Sequence, residues 1–302
     1  MKATRDGFGE QLAISGKDNK KIIGLSADLG KATRISHFAK TAPDRFFELG
    51  IAENNMIGIA SGMAENDYKV FMASFASFLT GKYDTIRCSI SYPNVPCVIV
   101  GTHSGMAIGR DGVTQMGLED ISIMRSLPNM VVLNPSTYNQ TRAIVKYLCE
   151  NDLNQPYYLR LGRQPVSEVY PEDVTYSPGD YTILRKGNKG TVLSTGCVLD
   201  SVLEATEGLD LTVIDLPTVK PIDKDLIKSF SGDVVITVED HSIIGGLGSA
   251  TAEVIAESRN CPRLIRIGLN DVFPESGAPA DLYEKYGLSS NKIKERIINE
   301  LD

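Results

Sequence analysis

The feature that most constrains the fold of this chain is an alternation of short apolar runs with helical patterns, which occurs twice. Buried parallel strands have this apolar character, and parallel strands need long, usually helical, connections. The alternation therefore predicts an α/β fold of two domains with largely parallel sheets. The apolar runs of the first series are 21–25, 69–73, 95–101, 129–134 and 156–161.

The break between the two series predicts the domain boundaries. Residues 166–190 are rich in proline, glycine and acids, which is typical of a linker. We expect a first domain at 1–170, a linker at 171–189 and a second domain at 190–302. The strands of the second series are predicted at 191–196, 211–216, 234–238 and 263–267, with helices at about 198–207, 223–229, 249–258 and 291–299.

Charge and hydropathy argue against two classes of partner. The 302 residues carry a net charge of −7 and no basic run, so we expect no nucleic-acid partner. No apolar run approaches the ~20 residues that span a bilayer, so we expect no membrane partner. The N-terminus has no signal-peptide pattern, and the five scattered cysteines have no metal-site spacing. We therefore expect a cytoplasmic protein with free thiols.

One carboxylate, Glu53, follows a short apolar strand and a tight turn in the stretch Phe46–Gly58 and lies where a helix begins. An acid in a first helical turn often only complements the positive end of the helix. The neighbourhood predicted for Glu53 favours a functional role instead. Several loops that follow strands carry reactive side chains, namely Asp28, Glu53, His103, Asp111 and Arg163.

If the sheet is parallel, these loops converge on one edge, where open α/β sheets bind ligands. Phe75 and Phe78 lie three residues apart in a predicted helix and therefore on one face. Rings beside a carboxylate suit a polar heteroaromatic ligand that is stacked and held by one acid. Ordinary core packing of the two phenylalanines is the alternative.

Four ordered blocks resemble the transketolase-like, thiamine-diphosphate-dependent enzymes. FFELGIAEN at 46–54 resembles the family signature RFFxxGIAExN, and Ser26–Leu29 resembles its SADL block. Phe75–Phe78 resembles the pyrimidine-stacking segment, and Gly109–Thr114 resembles the GEDGPTH loop. The resemblance covers about residues 1–165 well. The second domain is similar only in general pattern, including the Glu239-Asp240-His241 and Gly245–Gly248 segments. We interpret the glycine segment as a tight turn rather than an anion cradle.

The resemblance implies the C-terminal subunit of a split transketolase. In the family, the diphosphate of the cofactor and Mg²⁺ bind to a preceding domain with a Gly-Asp-Gly motif, which this sequence lacks. The cofactors implied are thiamine diphosphate and Mg²⁺, with the metal ligands on a separate N-terminal subunit and none here. Family active sites lie between subunits, so we expect self-association with two copies of each chain, a heterotetramer.

The resemblance also assigns cofactor contacts. Glu53 would hydrogen-bond N1′ of the aminopyrimidine and promote ylide formation at the thiazolium, and Phe75 and Phe78 would flank the ring. A buried, dry carboxylate suits this role because it shares a proton more readily than a solvated one. Asp28 resembles a residue at the cofactor and the subunit contact, with a helix-capping or turn role as the alternative. Leu29 fits the space beneath the cofactor or an ordinary core position.

Substrate contacts follow from the same resemblance. His103, Arg163 and Arg5 resemble residues that bind the terminal phosphate of the sugar, and Asp111 resembles the one that reads the donor's C2 hydroxyl. Glu53 and His103 are the candidate catalytic residues, although a histidine at a strand end is also a common structural hydrogen-bonding residue. Arg163 could equally be a surface residue beside the linker.

Two departures from the family pattern concern the substrate. Gln115 stands where the family loop ends in histidine, and Ala32 stands where the family has a phosphate-binding serine. Glutamine hydrogen-bonds but does not shuttle protons near neutral pH. The substrate is therefore expected to be a sugar phosphate or another anionic sugar, such as a sulfonate.

Three functions are compatible with the sequence. The first is transfer of a two-carbon ketol unit from a ketose to an aldose through an enamine on the cofactor. The second uses the same cofactor for decarboxylation, as in the β subunit of a 2-oxo acid dehydrogenase or a deoxyxylulose-phosphate-type synthase. The third is a non-catalytic stabilising subunit, against which the intact Glu53 argues.

Overall fold

Two large sheets with helices on both faces, together with a two-stranded sheet, make up the computed structural model, which describes residues 1–230, 234–258 and 262–301. The strands are β1 (Lys2–Ala3), β2 (Ile22–Ser26), β3 (Phe46–Glu48), β4 (Lys69–Phe75), β5 (Val98–Thr102), β6 (Val131–Leu133), β7 (Tyr157–Arg160), β8 (Pro165–Val166), β9 (Thr182–Arg185), β10 (Thr191–Thr195), β11 (Thr212–Asp215), β12 (Thr218–Lys220), β13 (Val234–Ser242) and β14 (Arg263–Leu269).

The helices cover both faces of the sheets and connect their parallel strands. They are α1 (Thr4–Asp18), α2 (Gly30–Thr33), α3 (Ser36–Thr41), α4 (Glu53–Ala64), α5 (Ala76–Thr80), α6 (Tyr83–Ile86), α7 (Asp120–Ser126), α8 (Tyr138–Glu150), α9 (Leu199–Ala205), α10 (Lys224–Ser229), α11 (Leu247–Ala256), α12 (Pro279–Lys285) and α13 (Ser290–Leu301). Short 3₁₀ helices lie at Pro43–Arg45, Met106–Asp111, Val113–Gln115 and Gly196–Val198, and a π-helical turn at Arg87–Ser91.

The first sheet has the strand order β12-β6-β7-β5-β4-β2-β3, and its strands are parallel except β12. Successive residues of β4 point to opposite faces, so Phe71 joins one core cluster and Met72 the other. Both faces are therefore covered, which explains why these strands are apolar throughout. The predicted α/β class with largely parallel sheets is confirmed.

The second sheet has the order β14-β13-β10-β11-β9, with β9 antiparallel. Strand β9 falls within the segment 171–189, and β12, from within 190–302, pairs with β6 of the first sheet. The chain thus exchanges strands across the expected boundaries, and the division into domains stays a prediction.

The start of the chain is attached to the segment that follows β7. Strand β1 pairs antiparallel with β8, so that Ala3 lies opposite Pro165. The amide of Gly162 donates to Thr4 Oγ1 at 2.8 Å. These contacts hold the first turn of α1 close to the loop 161–164.

The described part of the chain contains no helix that is long and apolar enough to cross a membrane. Cys88, Cys97, Cys149 and Cys197 are free thiols, as predicted. Cys261 lies outside the described residues.

A buried ion pair joins β7 of the first sheet to the first residue of α7. Arg160 Nε lies 2.9 Å from Asp120 Oδ2, and the side chains are 4% and 0% exposed. Tyr158 also donates to Asp120, at 2.7 Å. The second nitrogen, Nη2, donates to the carbonyls of Gly117 and Asp240. One guanidinium therefore connects the first sheet, the segment 117–120 and β13 of the second sheet.

Removal of the cation from this pair is expected to destabilise the chain. In Arg160→Met the Asp120 carboxylate stays buried without its guanidinium, so the free energy of unfolding should fall by about 3–5 kcal/mol. Urea denaturation followed by circular dichroism measures the change. The control is Lys224→Met, which breaks an exposed pair with Glu257 and should cost below about 1 kcal/mol. Equal losses in the two variants would contradict the assignment.

Candidate cofactor and substrate site

The carboxyl ends of the parallel strands meet at one edge of the first sheet. Strands β2, β3, β4, β5 and β7 are mutually parallel, so the residues that follow them share this edge. The structure thus brings together the loops predicted to form the site, as expected for an open α/β sheet. The candidate residues in these loops are Asp28, Glu53, His103, Asp111 and Arg163, and Phe75 ends β4.

Glu53 is the first residue of α4, and it is only 8% exposed. Its Oε1 accepts a hydrogen bond from Ser74 Oγ, in the neighbouring strand β4, at 3.3 Å. No side-chain hydrogen bond caps the helix at Ala52. The Glu53 carboxylate is therefore directed to the sheet edge and is largely shielded from water. Its hydrogen bond to Ser74 is an interaction in addition to any favourable interaction with the positive end of the helix.

Three aromatic rings are stacked at the carboxyl end of β4, the strand whose Ser74 binds the Glu53 carboxylate. The rings of Phe75 and Phe78 are stacked with centroids 5.3 Å apart, and Phe75 lies 3.8 Å from the imidazole of His103. Phe75 is the last residue of β4 and not part of a helix, so the predicted shared helical face is wrong. The turn from β4 into α5 brings the two phenylalanines together instead.

Both ring nitrogens of His103 are engaged. Nη1 of Arg5 lies 3.1 Å from Nε2, and Thr102 Oγ1 lies 2.9 Å from Nδ1. A guanidinium only donates, so Nε2 accepts and the proton of the neutral imidazole resides on Nδ1. Burial lowers the pKa of His103 to about 3, and the neighbouring Arg5, Arg163 and Arg34 contribute. His103 is therefore neutral near pH 7.

Three guanidinium groups surround His103, and they differ in their partners. Arg163 Nη1 donates to Asp111 Oδ2 at 2.7 Å, and Arg34 Nε donates to Asp6 at 2.6 Å. Arg5 donates instead to the carbonyl of Ala32 at 2.8 Å.

Within the described residues the buried Nε of Arg5 has no hydrogen-bond partner. Burial, together with Arg34, lowers the pKa of Arg5 to about 10. A guanidinium that forms no hydrogen bond to a carboxylate and keeps an unused donor suits an anionic ligand.

The remaining candidates lie at the rim. Asp111 is exposed beside Arg163, and Gln115 is half-buried in a short 3₁₀ turn. Asp28 is exposed, with a left-handed φ of 60°, and its amide donates to Glu48 at 2.5 Å. The N-cap of α2 is the half-buried Leu29, so the helix-capping alternative for Asp28 is excluded.

Two contacts of the site had no signal in the sequence. Ser74 holds Glu53, and Thr102 holds His103. Serine and threonine are common within strands, and only the tertiary structure shows which side chains their hydroxyl groups contact. Among the described residues no group of three or more His, Cys, Asp or Glu side chains is arranged to hold a metal ion.

The matches to known families follow the two halves of the structure. Residues 1–168 match the transketolase pyrimidine-binding domain, and residues 179–293 match the transketolase C-terminal domain. Both sheets and the edge with Glu53 thus fall within matched regions. The chain belongs to the transketolase family.

Relatives along the whole chain support a more specific identification. A transketolase C-terminal section of Methanocaldococcus jannaschii is 41% identical over 99% of this chain and 96% of its own length. A 6-deoxy-6-sulfo-D-fructose transketolase subunit of a Clostridium species is 35% identical over 96% of this chain and 91% of its own. The chain therefore corresponds to the C-terminal section of a split transketolase.

Longer relatives contain this region as about half of their length. A 1-deoxy-D-xylulose-5-phosphate synthase of Caldanaerobacter subterraneus is 34% identical over 97% of this chain but 48% of its own length.

The fold is also found in solved structures. A split-gene transketolase, described as an inactive β4 tetramer, has a TM-score of 0.90 and 41% identity over 100% of this chain and 99% of its own. Transketolase of Campylobacter jejuni has a TM-score of 0.81 at 23% identity over 98% of this chain and 46% of its own, which supports the fold alone.

The neutral state of His103 predicts a pH dependence of stability. Its pKa in the folded chain, about 3, lies below the ordinary value of 6.5, so only the unfolded chain takes up this proton between them. Stability from this residue is therefore full above about pH 6.5 and is lost as the pH falls, by about 1.4 kcal/mol per unit. His103→Asn removes the titration.

Urea denaturation of the wild type and His103→Asn at about pH 7, 6 and 5 measures the difference. Because all other groups titrate in both proteins, the gap in unfolding free energy between the two isolates His103. We expect the wild type to lose its advantage toward acid pH. Parallel curves would contradict the neutral, Arg5-bonded imidazole.

Proposed function

We propose that this chain supplies the pyrimidine-binding half of a two-chain transketolase that transfers a two-carbon ketol unit from a ketose to an aldose. The observation that carries the proposal is the buried Glu53 carboxylate, held by Ser74 at the sheet edge beside the stack of Phe75, Phe78 and His103. This combination fits an aminopyrimidine, which needs one acid and a flat apolar surface.

Thiamine diphosphate, when bound, supplies a carbon nucleophile that the protein's own side chains lack. Glu53 holds a proton at N1′ of the pyrimidine, and its burial favours sharing that proton. Phe75 and Phe78 would orient the ring, Leu29 would fill the space beneath the cofactor, and Asp28 would lie at the contact between cofactor and subunit. The diphosphate and Mg²⁺ are assigned to a separate N-terminal subunit, since this sequence contains no Gly-Asp-Gly motif.

The substrate is an anionic sugar. Arg5 has an unused buried donor, and Arg163 is close enough to act electrostatically on His103, so the cluster favours a phosphate or sulfonate at the end of the sugar chain. Asp111, which is paired with Arg163, and Gln115, in the following 3₁₀ turn, are proposed to read the sugar hydroxyls. The relative described as a 6-deoxy-6-sulfo-D-fructose transketolase subunit supports the sulfonate as one possibility.

The assembly proposed contains two copies of each chain and is active in the cytoplasm. Asp28 is exposed at the edge of the site, which supports a contact with another chain there. The isolated chain should have no turnover.

A decarboxylating synthase is a second candidate. The similarity to 1-deoxy-D-xylulose-5-phosphate synthase along 97% of this chain favours it. The two functions differ in one product, because the synthase releases CO₂ from a 2-oxo acid and the transketolase does not. Incubation of the reconstituted enzyme with pyruvate and an aldose phosphate, with mass spectrometry of the products, distinguishes them.

Reconstitution with the diphosphate-binding subunit tests the role of Glu53. In Glu53→Gln the side chain keeps its size but loses the ionisable oxygen pair, so kcat should fall at least about a hundredfold. The circular dichroism spectrum should be unchanged. Glu65→Gln, at the exposed end of the same helix, is the control and should keep wild-type turnover. More than a few per cent of kcat in Glu53→Gln would reject the assignment, as would turnover by this chain unaided.

The anion specificity of the cluster makes a separate prediction. Arg5→Met should raise KM about tenfold or more for a sugar phosphate or sulfonate, because it removes a charge-assisted hydrogen bond. KM for the uncharged sugar should change less than about threefold. Steady-state kinetics on both sugars measures the ratio, and Arg296→Met, in the exposed face of α13, is the control. An equal rise in KM for both sugars would contradict anion binding by Arg5.

A further inference from the structure

The loop 105–117, which carries Asp111 and Gln115, is held by the second domain. Its apolar side chains lie in the core of that domain, against β13, β14 and α12. Ser242, in β13, donates its amide to the carbonyl of Leu118 at 2.8 Å. The loop that follows β5, at the carboxyl edge of the first sheet, is thus packed in the core of the second sheet. The loop residues in this core are Met106, Ile108 and Met116, and Leu118, directly after the loop, joins them.

Asp240 makes the polar contact at the start of this loop. It lies in β13 and is 5% exposed. Its Oδ1 accepts from the amide of Met106 at 3.0 Å, and its Oδ2 accepts from Tyr283 of α12 at 2.8 Å. Gly105 has a φ of 77°, and a Cβ there would collide with the Asp240 carboxylate. Only glycine permits this approach of the backbone.

The other end of the loop is held through the same residue. The carbonyl of Asp240 accepts from Arg160 Nη2 at 2.9 Å, and the same nitrogen donates to the carbonyl of Gly117 at 3.0 Å. Arg160 ends β7, three residues before Arg163. Asp240 therefore connects both ends of the loop to β7, the strand that leads to Arg163.

We propose that Asp240 is a positioning residue that sets the placement of Asp111 beside Arg163, so that the second domain shapes substrate recognition without touching the substrate. The effect on substrate rests on the function proposed above. The placement of the loop does not, because it follows from contacts within this chain.

A neighbouring carboxylate provides the matched control. Glu239 is buried next to Asp240 in β13 but accepts from the amides of Leu247 and Gly248, at 2.7 and 2.8 Å, within the second domain. Burial raises the pKa of Glu239 to about 7. Glu239→Gln thus resembles the protonated side chain and disturbs the same domain at the same depth, without a bond to the loop.

Hydrogen–deuterium exchange of the full-length chain, alone and with its partner subunit, tests the placement of the loop. In Asp240→Ala the amide of Met106 loses its acceptor, so exchange in peptides covering 103–117 should accelerate about tenfold or more. Peptides from β5 and β7 should be unchanged. Asp240→Asn retains an acceptor oxygen and should stay within about threefold of the wild type.

Two results would overturn the proposal. One is an unchanged loop in Asp240→Ala, and the other is equal acceleration in Glu239→Gln, which would show that the loop only reports the stability of the second domain. If Asp240→Ala does not fold, Tyr283→Phe removes one of the two carboxylate bonds and should accelerate exchange in the same peptides to a smaller extent. No acceleration there would likewise overturn the proposal.

Kinetics of the two-chain enzyme test the effect on substrate. For Asp240→Ala we expect KM for the donor to rise about tenfold, with kcat within about threefold and the affinity for thiamine diphosphate unchanged. Asp240→Asn should restore KM. A loss of cofactor affinity as large as the rise in KM would indicate general unfolding and overturn the positioning role. If no variant or wild type shows ketol transfer, the proposed function fails, while the exchange result still decides the placement of the loop.

Discussion

The parallel alignment of β2, β3, β4, β5 and β7 is the constraint on which the rest of the site depends. Parallel strands place every following loop at the same edge, so residues as distant in sequence as 28 and 163 lie along one edge of the sheet. The stack of Phe75 on His103 joins the ends of the adjacent strands β4 and β5. The hydrogen bond from Ser74 to Glu53 joins β4 to the first residue of α4. A change of register in β4 would separate them, because each residue along a strand points to the opposite face.

Electrostatics at this edge follows from an unequal distribution of acids. Arg163 and Arg34 each have a carboxylate, while Arg5 is bonded to a carbonyl and an imidazole. The neutral His103 therefore accepts from Arg5 and does not add to the positive charge. An anionic substrate would meet a preformed donor group with little cost in reorganisation, which is how specificity for phosphate or sulfonate arises in a partly buried site.

The apolar runs predicted most strands of both sheets to within a few residues, since burial on both faces leaves a clear pattern. The apolar pattern was less informative for strands that pair with distant parts of the chain. Strand β12 is a short segment of the second half that joins the first sheet, and β9 lies in the expected linker. Phe75 was predicted in a helix but ends β4, because a strand continuing two residues further has the same apolar character as a buried helix.

The sequence by itself determined the α/β class and the family, and it proposed most of the candidate site residues, because apolar periodicity and ordered motifs are local properties of the chain. The tertiary structure alone decided the partners of those residues. Contacts between segments up to 134 residues apart set the proton position on His103 and attach the loop 105–117 to Asp240. They also leave the Nε donor of Arg5 unused. Such contacts depend on how the sheets pack, and no local pattern encodes them.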